Sequence, residues 1–336
     1  MHSRKLGSFT VSAIGLGCMN VSMGYGPRPD DDYSGQLLNE ALDCGYTFLD
    51  TAAMYGMGHS EELIGKYVSD RRSEYTLASK CGIFKNSEGQ TKIDGRPEVI
   101  QQTCEGSLKR LNTDVIDLYY LHRIDSNVPV EESVGALSRL VEQGKIRTIG
   151  LSEVSADSLR RAHATHPIIA VQSEYSLWSR TPERKVLATC RELGTTFVAF
   201  SPLGRQFLTG LSTDATTTDV EEGGLENFRS TIARPRFEPE NFAKNNQLLI
   251  PFSEIAKQHN CSMAQLAIAW LLAKDEDIIP IPGTSTIEHM LENANAEKIV
   301  VSQETVAVLD ALINDDTVAG NRYTDALMQS VDSERD

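Results

Sequence analysis

The stretch FLDTAAMYGMGHSEELIGKYV, residues 48–68, places a carboxyl group (Asp50), a phenol (Tyr55) and an imidazole (His59) around one short turn. Farther along, LASKCG carries Lys80 and DLYYLHRID carries His122. A carboxylate, a phenol, an ammonium and an imidazole together suit proton donation to a carbonyl oxygen as negative charge develops there. A free tyrosine, with a pKa of about 10, is a poor donor near neutrality. A neighbouring ammonium favours the phenolate and lowers that value. Lys80 is the candidate for this part, Asp50 would hold Lys80 charged, and His122 would orient the carbonyl. Singly, each residue has a plainer reading: Asp50 caps a turn, Tyr55 is a loop aromatic, Lys80 a solvated charge, His122 a structural histidine. Their joint position at strand ends favours the chemical reading. His59 stays outside the set, shaping the turn beside a helix start at Ser60.

The elements that must position these groups alternate along the chain. Strands are expected at Ile14–Cys18, Thr47–Asp50, Tyr75–Ser79, Val115–Leu121, Thr148–Ser152, Ile168–Gln172, Thr196–Phe200 and Ile278–Ile281, from β-branched and aromatic runs. Helices are expected near 33–44, 60–69, 97–111, 130–143, 156–165, 182–193, 246–273 and 286–296, with Pro97, Pro129 and Pro182 near helix starts. Eight βα repeats predict a (β/α)₈ TIM barrel. An N-terminal β-hairpin precedes it, turning at Gly7-Ser8. The competing doubly wound sheet announces itself with G-x-G-x-x-G, and the third glycine is missing after GLGCMN. Residues 201–245 form a long loop after the seventh barrel strand, read as a cofactor or substrate loop. Residues 302–336 read as a polar helical tail with a frayed end. With no linker visible, residues 1–336 are expected to form a single domain. In a barrel the chemistry sits on loops after the C-terminal ends of the strands, where Asp50, Lys80, His122, Ser152, Gln172 and Ser201 all fall.

The net charge of −15 opposes binding to nucleic acid or an anionic membrane surface. No apolar run is long enough to span a bilayer, and the N-terminus lacks the apolar core of a signal peptide. The six scattered cysteines, without a C-x-x-C pair, suggest reduced thiols and a cytoplasmic location. No spacing of histidines resembles a zinc site, so no metal is expected. G-x-S-x-G is absent, which removes a serine nucleophile of that type.

With these residues in view, the sequence resembles the aldo-keto reductase family over about residues 3 to 300. The motifs are GYTFLDTAAMYGMGHSEELIG, LASK, YYLHR, GKIRTIGLS, VQSEYS, AFSPLG and IPGTS…HMLEN, in the family's order. The resemblance implies a (β/α)₈ barrel that reduces aldehydes or ketones with NADPH, with NADH as the alternative cofactor. It implies a catalytic tetrad of Asp50, Tyr55, Lys80 and His122. Hydride would go to the carbonyl carbon and the Tyr55 proton to its oxygen.

Cofactor residues carry over by motif. Ser152 and Gln172 would hold the nicotinamide carboxamide, and Phe200 would stack on its ring. Ser201, Leu203, Gly204 and Arg205 would line the pyrophosphate. Gly283, Thr284 and Ser285 would wrap the adenosine phosphate at a helix start. Glu292 and Asn293 would meet the adenine. His289 stands where many members carry Arg or Lys, and Gly283 where many carry Lys. Arg234 or Arg236 is the expected compensation at the 2′-phosphate. Glu153 replaces the Asn that follows the motif serine in better-known members. The substrate pocket would draw on Met19, Met54, Phe84, Arg123 and Trp178. Met19 stands where some members have Trp, which implies a wider pocket. The resemblance leaves a second class open: a regulatory or sensor subunit that binds the cofactor with little turnover. An aldolase with Lys80 as a Schiff base is disfavoured, because Asp50 would keep that lysine protonated.

Overall fold

The structure, a computed structural model, describes the chain apart from Gly26, Ser87, residues 211–227 and Ser230. The strands are β1 (Ser3–Leu6), β2 (Phe9–Ser12), β3 (Leu16–Gly17), β4 (Phe48–Asp50), β5 (Thr76–Cys81), β6 (Ile83–Lys85) and β7 (Thr91–Ile93). They continue with β8 (Ile116–Leu121), β9 (Ile146–Ser152), β10 (Ile168–Glu174), β11 (Thr196–Phe200) and β12 (Ile278–Pro280). The helices are α1 (Asp31–Asp43), α2 (His59–Tyr67), α3 (Pro97–Arg110), α4 (Val130–Glu142), α5 (Ala156–Thr165) and α6 (Val186–Leu193). After these come α7 (Arg234–Phe237), α8 (Pro239–Gln258), α9 (Met263–Lys274), α10 (Ile287–Asn295), α11 (Gln303–Leu312) and α12 (Asp325–Ser330).

Strands β3, β4, β5, β8, β9, β10, β11 and β12 pair in parallel, each with the next, at the eight places expected from the sequence. The sheet closes on itself: Gly15 N donates to Pro280 O (3.0 Å) and Gly17 N to Pro282 O (3.2 Å). Gly17 allows that approach, since a Cβ there would lie 2.8 Å from Ile281 O. The expected (β/α)₈ barrel is therefore the observed fold. The expected hairpin is also present: β1 and β2 pair antiparallel. Its Leu6 and Val11 join Phe48, Leu118, Tyr120 and Val198 in the core inside the barrel. A second, larger core lies between sheet and helices. No described helix is long and apolar enough to cross a membrane.

Several expectations need correction. The stretch 246–273 is two helices, not one. Asn260 turns left-handed (φ 52°), and Ser262 starts α9 with a reciprocal capping box to Gln265. Because α8 begins at Pro239, the loop after β11 ends before residue 245; its centre, 211–227, lies outside the described residues. The helix expected over 182–193 is a 3₁₀ turn at Thr181–Glu183 followed by α6. Ser60 is not an N-cap. Helix α2 starts at His59, and the buried Ser60 hydroxyl donates to Cys18 O (2.7 Å) and contacts Thr51 Oγ1 (2.8 Å). The hairpin β6–β7, inserted after β5, was not anticipated. Nor is the end of the tail frayed: Val331, Asp332 and Ser333 are buried, and Asp332 Oδ2 accepts from Ser155 N at 2.8 Å.

Candidate active site

The C-terminal ends of β4, β5 and β8 are adjacent in the barrel, which brings Asp50, Lys80 and His122 side by side. Tyr55 reaches them from the turn after β4. There Gly56, Met57 and Gly58 all take positive φ (58°, 56° and 100°), folding the chain back into α2. Non-glycine residues visit this region only when their surroundings hold them there. His59 supports the turn from outside, with Nε2 3.1 Å from Asp31 Oδ1 and 3.0 Å from Arg28 Nη1.

The Lys80 ammonium, 1% exposed, is the hub. It donates to Asp50 Oδ1, to Thr51 O at 2.8 Å and to Tyr55 Oη at 3.3 Å. Gln172 Nε2 donates to the other Asp50 oxygen at 2.7 Å. The His122 ring stands edge-on to Tyr55, with centroids 5.9 Å apart. Burial works against the Lys80 charge, but Asp50 and Tyr55 outweigh it and hold its pKa above the ordinary lysine value. Burial lifts the Asp50 carboxyl, opposed by Lys80 and Gln172. Burial, with Arg123 and Lys80 beside it, drives His122 well below the usual histidine range and leaves a neutral imidazole.

Tyr55 departs from the expectation. Lys80 does pull its pKa down, but burial of the hydroxyl is the larger effect, and the net shift is upward. The phenol therefore keeps its proton through neutral pH. A positive charge 3.3 Å away stands ready to stabilise the phenolate once that proton is given up.

These groups open into a cleft of about 800 Å³, within the size range of cofactor and ligand sites. Of the residues expected at the cofactor, Ser152, Gln172, Phe200, Ser201, Leu203, Arg205, Gly283, Thr284, Ser285, His289, Glu292 and Asn293 all line it. Gly204 does not. It shapes the turn beneath (φ 55°), where a Cβ would meet the Trp178 ring at 3.1 Å. Among the expected pocket residues, Met19, Met54 and Arg123 line the cleft, whereas Phe84 and Trp178 do not. Strand alternation explains Phe84: Ile83 and Lys85 face the cleft, so the residue between them points away. Trp178 is buried and stacked on Phe207 at 4.0 Å, with the Arg236 guanidinium 4.9 Å from its ring. That stacking, with a hydrogen bond to Ser179 Oγ (2.8 Å), fixes Arg236 in the interior. Arg234 pairs with Glu238 on the surface. Neither arginine lines the cleft, so the compensation expected at the 2′-phosphate is not present.

Sequence reasoning missed the part of the cleft lining that comes from the tail, Tyr323, Leu327 and Val331. It also missed Gln172 as the second partner of Asp50. The one available signal for the tail was Glu153, an unexpected acid directly after the motif serine. Its carboxylate is buried against Arg322.

The residues fit a dinucleotide. The Arg205 guanidinium lines the cleft with a buried Nη1 that has no hydrogen-bond partner among the described residues, a donor suited to a phosphate oxygen. Gly283 to Ser285 lead into the N-terminus of α10, where backbone N–H groups favour anions.

The Aldo/keto reductase family pattern matches residues 13–314. The chain belongs to the aldo-keto reductase family. It is 43% identical over 327 residues to the aldo-keto reductase yakc [NADP(+)] of Schizosaccharomyces pombe, covering 96% of this chain and 94% of that one. It is 41% identical over 329 residues to a probable aldo-keto reductase 1 of Glycine max, covering 96% and 92%. Among solved structures it resembles a glycerol dehydrogenase of Gluconobacter oxydans, with a TM-score of 0.82, 25% identity, and 98% and 96% covered. It also resembles an aldo/keto reductase of Klebsiella pneumoniae solved with NADP and acetate, with a TM-score of 0.70, 27% identity, and 94% and 95% covered. Membership makes the chain an oxidoreductase acting on carbonyl or alcohol groups.

Proposed function

We propose that this oxidoreductase uses NADPH to reduce apolar aldehydes or ketones to alcohols, with Tyr55 as the general acid. The observation that carries this reading is the buried Lys80 ammonium held jointly by Asp50, Thr51 O and Tyr55 Oη, with Asp50 and Tyr55 lining the cleft. When bound, NADPH supplies the hydride that reduces the carbonyl carbon. Tyr55 gives its proton to the carbonyl oxygen, and Lys80 stabilises the phenolate left behind. Asp50 keeps Lys80 charged. Neutral His122, with no charge to repel Lys80, orients the oxygen by a hydrogen bond.

Ser152 and Gln172 would hold the carboxamide, and the flat ring of Phe200 would lie against the nicotinamide. Ser201, Leu203 and Arg205 would meet the pyrophosphate, and Gly283, Thr284 and Ser285 the adenosine phosphate. Glu292 and Asn293 would contact the adenine, and His289 would meet a 2′-phosphate. The remainder of the substrate would rest on Met19, Met54, Ile83, Ile93, Phe228 and Leu327, which line the cleft. This surface favours aromatic or branched aliphatic carbonyls over small polar ones. Six unpaired cysteines agree with a cytoplasmic setting.

Purified protein mixed with NADPH and a panel of carbonyl compounds tests the proposal through loss of NADPH absorbance. Turnover is expected, with kcat/KM highest for apolar aldehydes. Tight NADPH binding without turnover of any carbonyl would contradict it and point to a sensor subunit.

A further inference from the structure

One buried ionic network joins the tail to the cofactor end of the cleft. Arg322 is 4% exposed. Its Nη2 lies 2.5 Å from Glu153 Oε2 and 2.9 Å from Ser333 Oγ. Its Nη1 donates to Glu153 Oε1 at 3.1 Å and to Glu174 Oε2 at 3.4 Å, and its Nε to Glu334 Oε1 at 2.5 Å. Ser333 strengthens the joint, its N donating to Glu153 O (3.1 Å) and its Oγ to Glu153 Oε2 (2.6 Å). On the far side, Glu174 Oε2 also accepts from Arg205 Nη2 at 2.7 Å. The Tyr323 ring lies against both guanidiniums, 4.7 Å from Arg322 and 4.8 Å from Arg205.

One end of this network, Arg205, lines the cleft, and the other, Glu153, adjoins a cleft residue, Ser152. Glu153 follows Ser152 directly and sits at φ 54°, a conformation that asparagine tolerates better than glutamate. The bonds of its carboxylate to Arg322 and Ser333, and its N–H donation to Gln172 O (2.9 Å), anchor this backbone beside Ser152. Arg205 lines the cleft, and so do Tyr323, Leu327 and Val331 of the tail. Removing one partner of a buried ion network leaves the remaining charges buried and uncompensated.

We propose that Arg322 is a positioning residue that couples the tail to the cofactor site, so that NADPH binding and tail docking strengthen each other. Such a coupling is reciprocal by linkage: whatever factor the docked tail contributes to NADPH affinity, NADPH contributes to tail docking. The inference rests on the cofactor reading above.

The test uses the full chain and two readouts besides turnover, NADPH fluorescence titration and the rate of proteolytic cleavage within the tail. In the parent protein, NADPH should slow that cleavage. Arg322→Met should raise the Kd for NADPH roughly tenfold, a typical coupling, and remove the protection, while Arg322→Lys recovers part of both. A folded Arg322→Met whose tail is cleaved freely, yet whose NADPH affinity equals the parent's, would overturn the coupling. If Arg322→Met does not fold, Glu334→Gln loosens the Nε contact alone. A raised Kd then supports the proposal, and faster cleavage at unchanged Kd overturns it. A parent that binds no NADPH would instead sink the cofactor reading itself.

Discussion

At the scale of single residues, chemistry turns on where protons reside. Burial raises Tyr55 and depresses His122, so neither changes charge near neutrality. A raised phenol keeps its proton below its folded pKa and loses it only above, and a depressed imidazole is neutral above its folded pKa. For carbonyl reduction, kcat/KM against pH should therefore show no inflection near the ordinary histidine value of about 6.5. Its descending limb should lie above the ordinary phenol value of about 10. A limb centred near neutrality would mean that another group donates the proton. Asp50, Tyr55, Lys80 and His122 could be picked out in the sequence because each stands at, or within a few residues of, the C-terminal end of a recognisable strand. The balance on Tyr55 could not, because burial depends on groups from several strands at once.

At the scale of elements, the eight barrel strands were legible because their apolar runs are bounded by polar turns. Other elements were hidden for physical reasons. Helix α9, MAQLAIAWLLAK, is buried along most of its length, so no polar face marks where it starts. The signal lay in Ser262 and Gln265, spaced as a capping box. Ser262→Ala should lower stability by about 1 kcal/mol, read as a lower urea midpoint at unchanged slope. An unchanged midpoint would show that packing alone fixes the start of α9. The three-residue strands of the β6–β7 hairpin are too short for alternation to declare itself, and so Phe84 was assigned to the wrong face. Trp178 was assigned to the pocket by type and place in the chain. Its stacking on Phe207 is a contact with the loop after β11, which spacing does not encode.

At the scale of the whole molecule, closure matters at two places. Gly15 and Gly17 close the barrel, and the tail closes one wall of the cleft against Glu153. Burial alone would lift the Glu153 carboxyl, but Arg322 more than reverses it and holds the pKa at about 2. A depressed carboxyl contributes stability that is complete above its unfolded value, about 4.3, and is lost as pH falls through its folded value. Acid titration should accordingly destabilise the parent between about pH 4.5 and pH 2. Glu153→Gln should be less stable at neutral pH but lose less over that interval. Equal acid losses in both proteins would refute this role for the pair. The tail read as a frayed end because its docking partners lie about 170 residues earlier in the chain, beyond the reach of any local pattern.

The central claim is that Tyr55 delivers the proton, and Tyr55→Phe tests it most directly. The substitution removes the hydroxyl beside Lys80 and leaves the ring. With NADPH and a good aldehyde substrate, the variant should lose roughly 10²- to 10⁴-fold in kcat, while fluorescence titration returns the parent's NADPH affinity. Reduction at close to the parent rate, with NADPH still bound, would contradict the account.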